Sequence, residues 1–274
     1  MTWQLRPGVG LARRDAHHLQ LGVDPPLAAV LPDNPGVRRL LVELAHGAPL
    51  TTLDATTAPV LDALVAAGLV VAADELAGRR DHRDRTPVLV DAPAELSGPL
   101  LRLAGDAGLR LTPDPAAAAV ALIWRVGEIS RSAVDDWMRT ATPHLLVREG
   151  LGGPVLGPYV APGATACLRC VDAHLGEEDP RRALVVEQLA MTPQLRPADP
   201  DPALRALAMG WAVRELVTAV EGGLPAAWSA TVTLGDLPPV VTTYRRHLHC
   251  GCAWSEELVD AAADRATGPA ARAS

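Results

Sequence analysis

Between residues 9 and 33 short apolar runs alternate with turn residues, which predicts three strands: Val9 to Arg14, His18 to Asp24 and Leu27 to Asp33, with Asp15-Ala16 and Asp24-Pro25-Pro26 as the turns. The apolar spacing then becomes helical. Asn34 is suited to an N-cap with Pro35 at the first helical position, and Val37, Leu40, Leu41, Leu44 and Ala45 repeat until Gly47. A short helical turn is predicted over Pro49 to Ala55, and a third helix from Ala58 to Ala67 carries Val60, Leu61, Leu64 and Val65 on one stripe before Gly68. Leu69 to Ala73 reads as a returning strand. Together these elements suggest a small winged-helix-like α+β module.

Beyond it the pattern alternates between strands and helices. Strands are expected over Pro87 to Asp91, Leu109 to Leu111, Val120 to Trp124 and His144 to Arg148, with helices over Glu95 to Ala107 and Ser132 to Thr140. Asp201 and Pro202 open a later helix with Leu204, Leu207, Ala208, Trp211, Val217 and Val220 on one face, closed by Gly222-Gly223. Strands Trp228 to Leu234 and Val240 to Arg245 complete a Rossmann-like α/β series. The expected organisation is a winged-helix-like domain over 1–78, a charged linker over 79–86, an α/β domain over 87–265 and a frayed tail over 266–274.

Composition changes this picture in one respect. The 274 residues include no Phe and no Lys, so all 25 basic residues are Arg. A Walker-type phosphate lysine, a Schiff-base lysine and any lysine contact to a nucleotide phosphate are therefore excluded. With a net charge of −7 and no long apolar window, neither a membrane span nor a basic nucleic-acid surface is expected. The start, Met1 to Pro7, lacks an apolar signal core, so a cytoplasmic chain is expected, with cysteines reduced unless a metal holds them.

The sharpest chemical signal is Cys167-Leu168-Arg169-Cys170 together with Cys250-Gly251-Cys252, the chain's four cysteines in two close pairs. A C-x-x-C turn aims two sulfurs at one point, and C-x-C can do so from an extended segment or from a tight turn that Gly251 permits. Together they suit a closed tetrahedral Zn²⁺ site of structural type, whose formal charge of −2 is offset by the nearby Arg169, Arg245 and Arg246. A redox pair, two disulfides and unliganded core thiols are the alternatives. His247 and His249 lie beside the second pair and could replace one cysteine as a ligand, although the tight pairing of the cysteines favours supporting or surface roles for both.

A phosphate cradle needs a glycine-rich turn after the first strand of the α/β series. Here the turn is Asp91-Ala92-Pro93-Ala94-Glu95, with no glycine, no N–H on Pro93 and two acids where phosphates would lie. ATP chemistry by this chain alone is therefore disfavoured. Gly150-Leu151-Gly152-Gly153-Pro154 reads instead as a connection between strands. The first 80 residues hold seven arginines against eight acids, which argues against DNA binding. An exposed strand at Ala28-Ala29-Val30-Leu31 beside the helix carrying Val60, Leu61 and Leu64 could accept a peptide as an added strand, unless the rest of the protein covers that edge. The serines and remaining histidines form no nucleophile–base pattern, Asp135-Asp136 reads as a solvated face, and Trp124, Trp137, Trp211 and Trp228 read as core.

The run from Gly157-Pro158 through Pro162-Gly163 to Cys167-Leu168-Arg169-Cys170 resembles the corresponding segment of E1-like proteins, the ThiF-like adenylyltransferase superfamily. With Asp179-Pro180, Gln188-Leu189 and Cys250-Gly251-Cys252 it is similar to the cyclodehydratase-associated branch found beside YcaO enzymes that make azoline rings in ribosomal peptides. Leu19 to Pro25 and the helices after it resemble the RiPP recognition element, which binds a leader peptide between its third strand and third helix. The resemblance implies a homodimeric, zinc-bearing scaffold that presents a leader peptide to a YcaO-type partner, with Cys167, Cys170, Cys250 and Cys252 as zinc ligands. The nucleotide loop and ATP-contacting lysine of true E1 enzymes have no counterpart here. An adenylyltransferase with a diverged site and a zinc-containing winged-helix regulator are the other readings.

Overall fold

The computed structural model describes residues 2–50, 53–192, 194, 201–235 and 238–252. It divides into two compact units, Met1–Asp81 and His82–Ser274. In the first unit, β1 (Trp3–Leu5) is followed by an antiparallel meander of β2 (Leu11–Arg13), β3 (His18–Leu21) and β4 (Ala29–Pro32), with β3 in the centre. The three expected strands are thus present, slightly shorter at their ends. Helix α1 (Pro35–His46) starts and stops as the sequence dictates: the Asn34 side chain accepts from the Val37 N–H, and Gly47 takes the left-handed conformation that ends it.

Two segments differ from expectation. The described residues of Pro49 to Ala55 form no helix, because the Asp54 carboxylate accepts from the N–H groups of Thr56 and Thr57 and opens the turn into α2 (Ala58–Ala66). The α2 helix is therefore the second of this unit. After β5 (Val70–Ala72), which pairs antiparallel with β1, the charged stretch expected as a linker is helical: α3 (Ala73–Arg85) has acids in its first turn, bases in its last and no buried residue.

In the second unit seven strands form one sheet. Strands β6 (Pro87–Asp91), β7 (Arg110–Leu111), β8 (Val120–Val126) and β9 (His144–Gly150) pair in parallel in the order β7-β6-β8-β9. The sheet then continues antiparallel through β10 (Gly153–Val160), β11 (Ala230–Thr233) and β12 (Val240–Thr243). Both faces of the parallel part are covered, so the central runs 88–90, 120–124 and 145–147 are apolar on both faces, while Asp91, Arg125 and Glu149 lie towards the carboxyl ends. Val120, Leu122 and Trp124 of β8 pack with α4 (Ala94–Asp106) and α8 (Pro202–Val220), while Ala121 and Ile123 face the opposite core. That second core contains Cys167, Leu168 and Cys170 at the start of α6 (Leu168–Gly176). The expected helix over Ser132 to Thr140 is a 3₁₀ turn, Arg131–Val134, running into the short α5 (Asp135–Arg139). Helix α7 (Arg182–Met191), which lacks a sequence signal, buries only Val186.

Asp201 caps α8 through the N–H groups of Ala203 and Leu204. The buried face of α8 is Ala208, Ala212, Val213, Leu216, Val217 and Val220; Leu207, expected on it, is exposed. Gly157 lies where the register of β9 and β10 shifts, with φ of +95°, and a Cβ there would lie 2.1 Å from the Ala230 carbonyl oxygen. Only glycine lets β11 approach this closely. Residues 266–274, expected as a tail, lie outside the described residues.

Helix α8 is fixed to the sheet by Glu149 of β9, which is 2% exposed. Its carboxylate accepts from Trp124 Nε1 at 3.0 Å and from Arg205 Nε and Nη2 at 2.9 and 2.5 Å. Arg205→Ala leaves this buried carboxylate without its counter-charge and is expected to cost about 3–5 kcal/mol in urea unfolding. A loss below about 1 kcal/mol, the value of an exposed pair, would contradict this role.

Candidate metal centre

The chain brings the two cysteine pairs together. Cys167 is the extended N-cap residue of α6 and Cys170 lies in its first turn, so the C-x-x-C spacing places both sulfurs at one helix N-terminus, where the helix dipole favours thiolate. Cys250 and Cys252 come from the turn beyond β12. The Cys250 N–H donates to the His247 carbonyl, and Gly251 between them has φ of +71°. The glycine-permitted tight turn, rather than an extended segment, is what aims these two sulfurs.

The four sulfurs lie within 4.8 Å of one another. Sγ separations are 3.7 Å for Cys167 and Cys170, 3.4 Å for Cys167 and Cys250, and 3.3 Å for Cys170 and Cys252. These are far longer than a disulfide bond of about 2.05 Å. They approach the edge, about 3.8 Å, of a tetrahedron with metal–sulfur distances of about 2.3 Å. Cys167 and Cys170 are buried, and Cys250 and Cys252 are half-buried. The Cys167 thiol is pushed far up by its contacts with Cys170, Cys250 and Cys252 and by burial. Four sulfurs converging this closely form a donor set that could hold a metal ion. The His247 N–H points at Cys170 Sγ from 3.4 Å and supplies a supporting bond. Of the arginines expected to offset the charge, Arg169 senses Cys167 and Cys250 while pairing with Asp135, whose carboxyl it holds below the usual range. Asp135 is therefore an ion-pair partner, not merely solvated. Arg246 binds the Gly163 carbonyl, and Arg245 is exposed.

Beside the cluster a cleft of about 720 Å³ is lined in part by Arg131, Asp172, Glu187, His247, His249 and Cys250. Arg131 and Asp172 form a buried bidentate pair at 2.6 and 2.7 Å, and Glu187 accepts from the Arg131 N–H and from Ser130. Sequence reasoning missed this network because its members lie 41 to 57 positions apart. It also missed His174 and Glu177, although their i, i+3 spacing on the helix that starts at Cys167 was a readable signal.

In an open α/β sheet ligands bind where the strand order reverses, here at the carboxyl ends of β6 and β8. That position carries Asp91 and Arg125 in a bidentate ion pair, with Nη1 to Oδ1 at 3.1 Å and Nη2 to Oδ2 at 2.6 Å. The turn into α4 contains Pro93 as the N-cap residue and no glycine.

The expected peptide-binding residues are not all accessible. Ala28, just before the edge strand β4, and Ala29 at its start are half-buried, and Val30 within it is 50% exposed. Leu31, Val60, Leu61 and Leu64 are instead core, packed together with Leu19, Val37 and Leu44. Among the tryptophans Trp124 is fully buried, and Trp137, Trp211 and Trp228 are half-buried against the cores. Among the described residues no helix is long and apolar enough to cross a membrane.

No protein-family model matches the chain, and no curated protein matches it in sequence. Its fold is shared with the heterocyclase TruD at a TM-score of 0.69 and 16% identity, over 92% of this chain and 42% of that one. A heterocyclase in complex with substrate and cofactor matches at 0.67 and 13%, over 92% and 39%. E. coli MccB with AMPCPP and MccA matches at 0.63 and 8%, over 93% and 100%. The chain thus spans less than half the length of the two heterocyclases, and what the likeness shows is the fold.

The turn geometry generates one prediction. Gly251→Val places a β-branched residue at positive φ and is expected to weaken metal retention in competition with a chelator at least tenfold, whereas Gly251→Asn, which tolerates that conformation, is expected to stay close to the parent. Equal retention in both variants would contradict the role given to this turn.

Proposed function

We propose that this chain is a zinc-bearing, E1-like scaffold that binds the leader of a ribosomally made precursor peptide and presents it to a YcaO-type partner, without ATP chemistry of its own. The observation that carries the reading is the combination, in one chain, of an edge strand and a four-cysteine cluster in a fold shared with a heterocyclase solved with substrate and with MccB solved with MccA. Edge strand β4 suits an added peptide strand: main-chain bonds supply affinity, and the exposed Val30 side chain contacts the peptide. Because Val60, Leu61 and Leu64 are closed into the core, specificity rests on β4 and on the outer face of α2 rather than on a deep apolar groove. The first 78 residues act as the winged-helix-like recognition module, and a homodimer is part of the same reading.

Zinc has a structural role in this account. Cys167, Cys170, Cys250 and Cys252 leave no open coordination position, so the ion ties the turn at 250–252 to helix α6 and supplies no catalysis. A nucleotide-using reading draws on the AMPCPP in the MccB structure. Against it stand the Asp91–Arg125 pair at the sheet's switch point, the glycine-free turn and the lack of any lysine.

Two experiments test the proposal. Metal analysis of the gently purified chain is expected to give close to one zinc per chain and far less in Cys252→Ser; a metal-free parent protein would contradict the zinc assignment. Labelled peptides from short Cys/Ser/Thr-rich reading frames adjoining the gene are expected to bind saturably by fluorescence anisotropy, at least tenfold more weakly in Val30→Asp. Unchanged binding in that variant, or no binding by any such peptide, would contradict leader recognition at β4.

A further inference from the structure

Helix α6 carries chemistry beyond its cysteines. Cys167, Cys170 and His174 at its start and interior, and Glu177 at its C-cap, recur at intervals of three and four, so they share one face. Across from that face is His247, three residues before Cys250. One ligand atom each of His174, Glu177 and His247 lies within 4.8 Å of the other two. Donors about 2.0–2.1 Å from an ion at tetrahedral angles lie about 3.4 Å apart; His247 Nε2 and Glu177 Oε1 are 3.1 Å apart.

Three further observations favour a cation here. His174 Nε2 faces the Arg245 carbonyl at 2.9 Å; a carbonyl only accepts, so the ring proton is on Nε2 and Nδ1 keeps a free lone pair. This carbonyl bond is the kind of supporting contact that orients a metal-binding imidazole. Glu177 places a carboxylate at the negative end of the α6 dipole, an unfavourable position that a cation offsets. The group also opens onto the cleft, whose walls include Glu177, His247 and His249.

We propose that His174, His247 and Glu177 form a second metal site, which takes an exchangeable first-row divalent ion and leaves coordination positions open to the cleft. Two imidazoles and a carboxylate with open positions differ from the closed four-thiolate set. Binding at His247 Nε2 moves the single ring proton of the neutral imidazole to Nδ1 and gives up the 3.2 Å bond that Nδ1 accepts from the His249 N–H. The site does not depend on the peptide-binding reading.

The test uses the full chain with its tight metal in place. Titration with Co²⁺ is expected to fill a second equivalent that adds weak visible absorption without thiolate-to-cobalt charge-transfer bands. His174→Ala and Glu177→Gln are each expected to lose that equivalent and to keep the tight one. The Glu177 side chain is 67% exposed, so Glu177→Gln leaves the fold intact and is the decisive variant. Absence of a second equivalent in the parent protein, or its survival in Glu177→Gln, would overturn the proposal.

Discussion

Cys167 and Cys250 are 83 positions apart, and Cys170 and Cys252 are 82 apart, yet their sulfurs meet. The first pair is held rigidly, because the start of α6 is buried against the sheet. The second pair follows β12, an edge strand whose four residues are all exposed and which therefore contributes little burial. Closing so long a loop costs entropy that this edge cannot offset by packing alone. In the proposed zinc-bound state a cation shared by the four sulfurs supplies the missing stabilisation. The chain from α7 through α8, β11 and β12 lies inside this closure.

In the same unit an ion pair sits at the point where the strand order reverses. At the crevice where a doubly wound sheet binds ligands, two charged side chains satisfy each other. Asp91 and Arg125 pair there, and nearby Glu149 is taken up by Trp124 and Arg205. A phosphate would have to displace Asp91 from its guanidinium and would find no glycine turn behind it. The paired charges in the crevice and the four-cysteine cluster are the two features on which the proposed scaffold reading rests.

Much of this was legible in the sequence where a local rule is strong. Asn34, Pro35 and Gly47 bound α1, Asp201 and Pro202 open α8, and the two cysteine pairs announce one cluster. Elements without a single apolar face were not legible. Helix α3 buries nothing and α7 buries only Val186, so neither carries a periodic stripe. The apolar face of the second helix was read correctly as a stripe, but a sequence does not say whether a stripe faces a groove or a core; Val60, Leu61 and Leu64 face the core. Arg131 with Asp172, and His247 with Glu177, are joined only by tertiary structure, since charged residues look alike in sequence whether solvated or buried in pairs.

The central proposal is that this chain serves as a scaffold without nucleotide chemistry of its own. Isothermal calorimetry of the metal-loaded chain with ATP and Mg²⁺ tests it most directly. The account predicts no saturable heat of binding. Tight, Mg²⁺-dependent binding would contradict it and restore the adenylyltransferase reading.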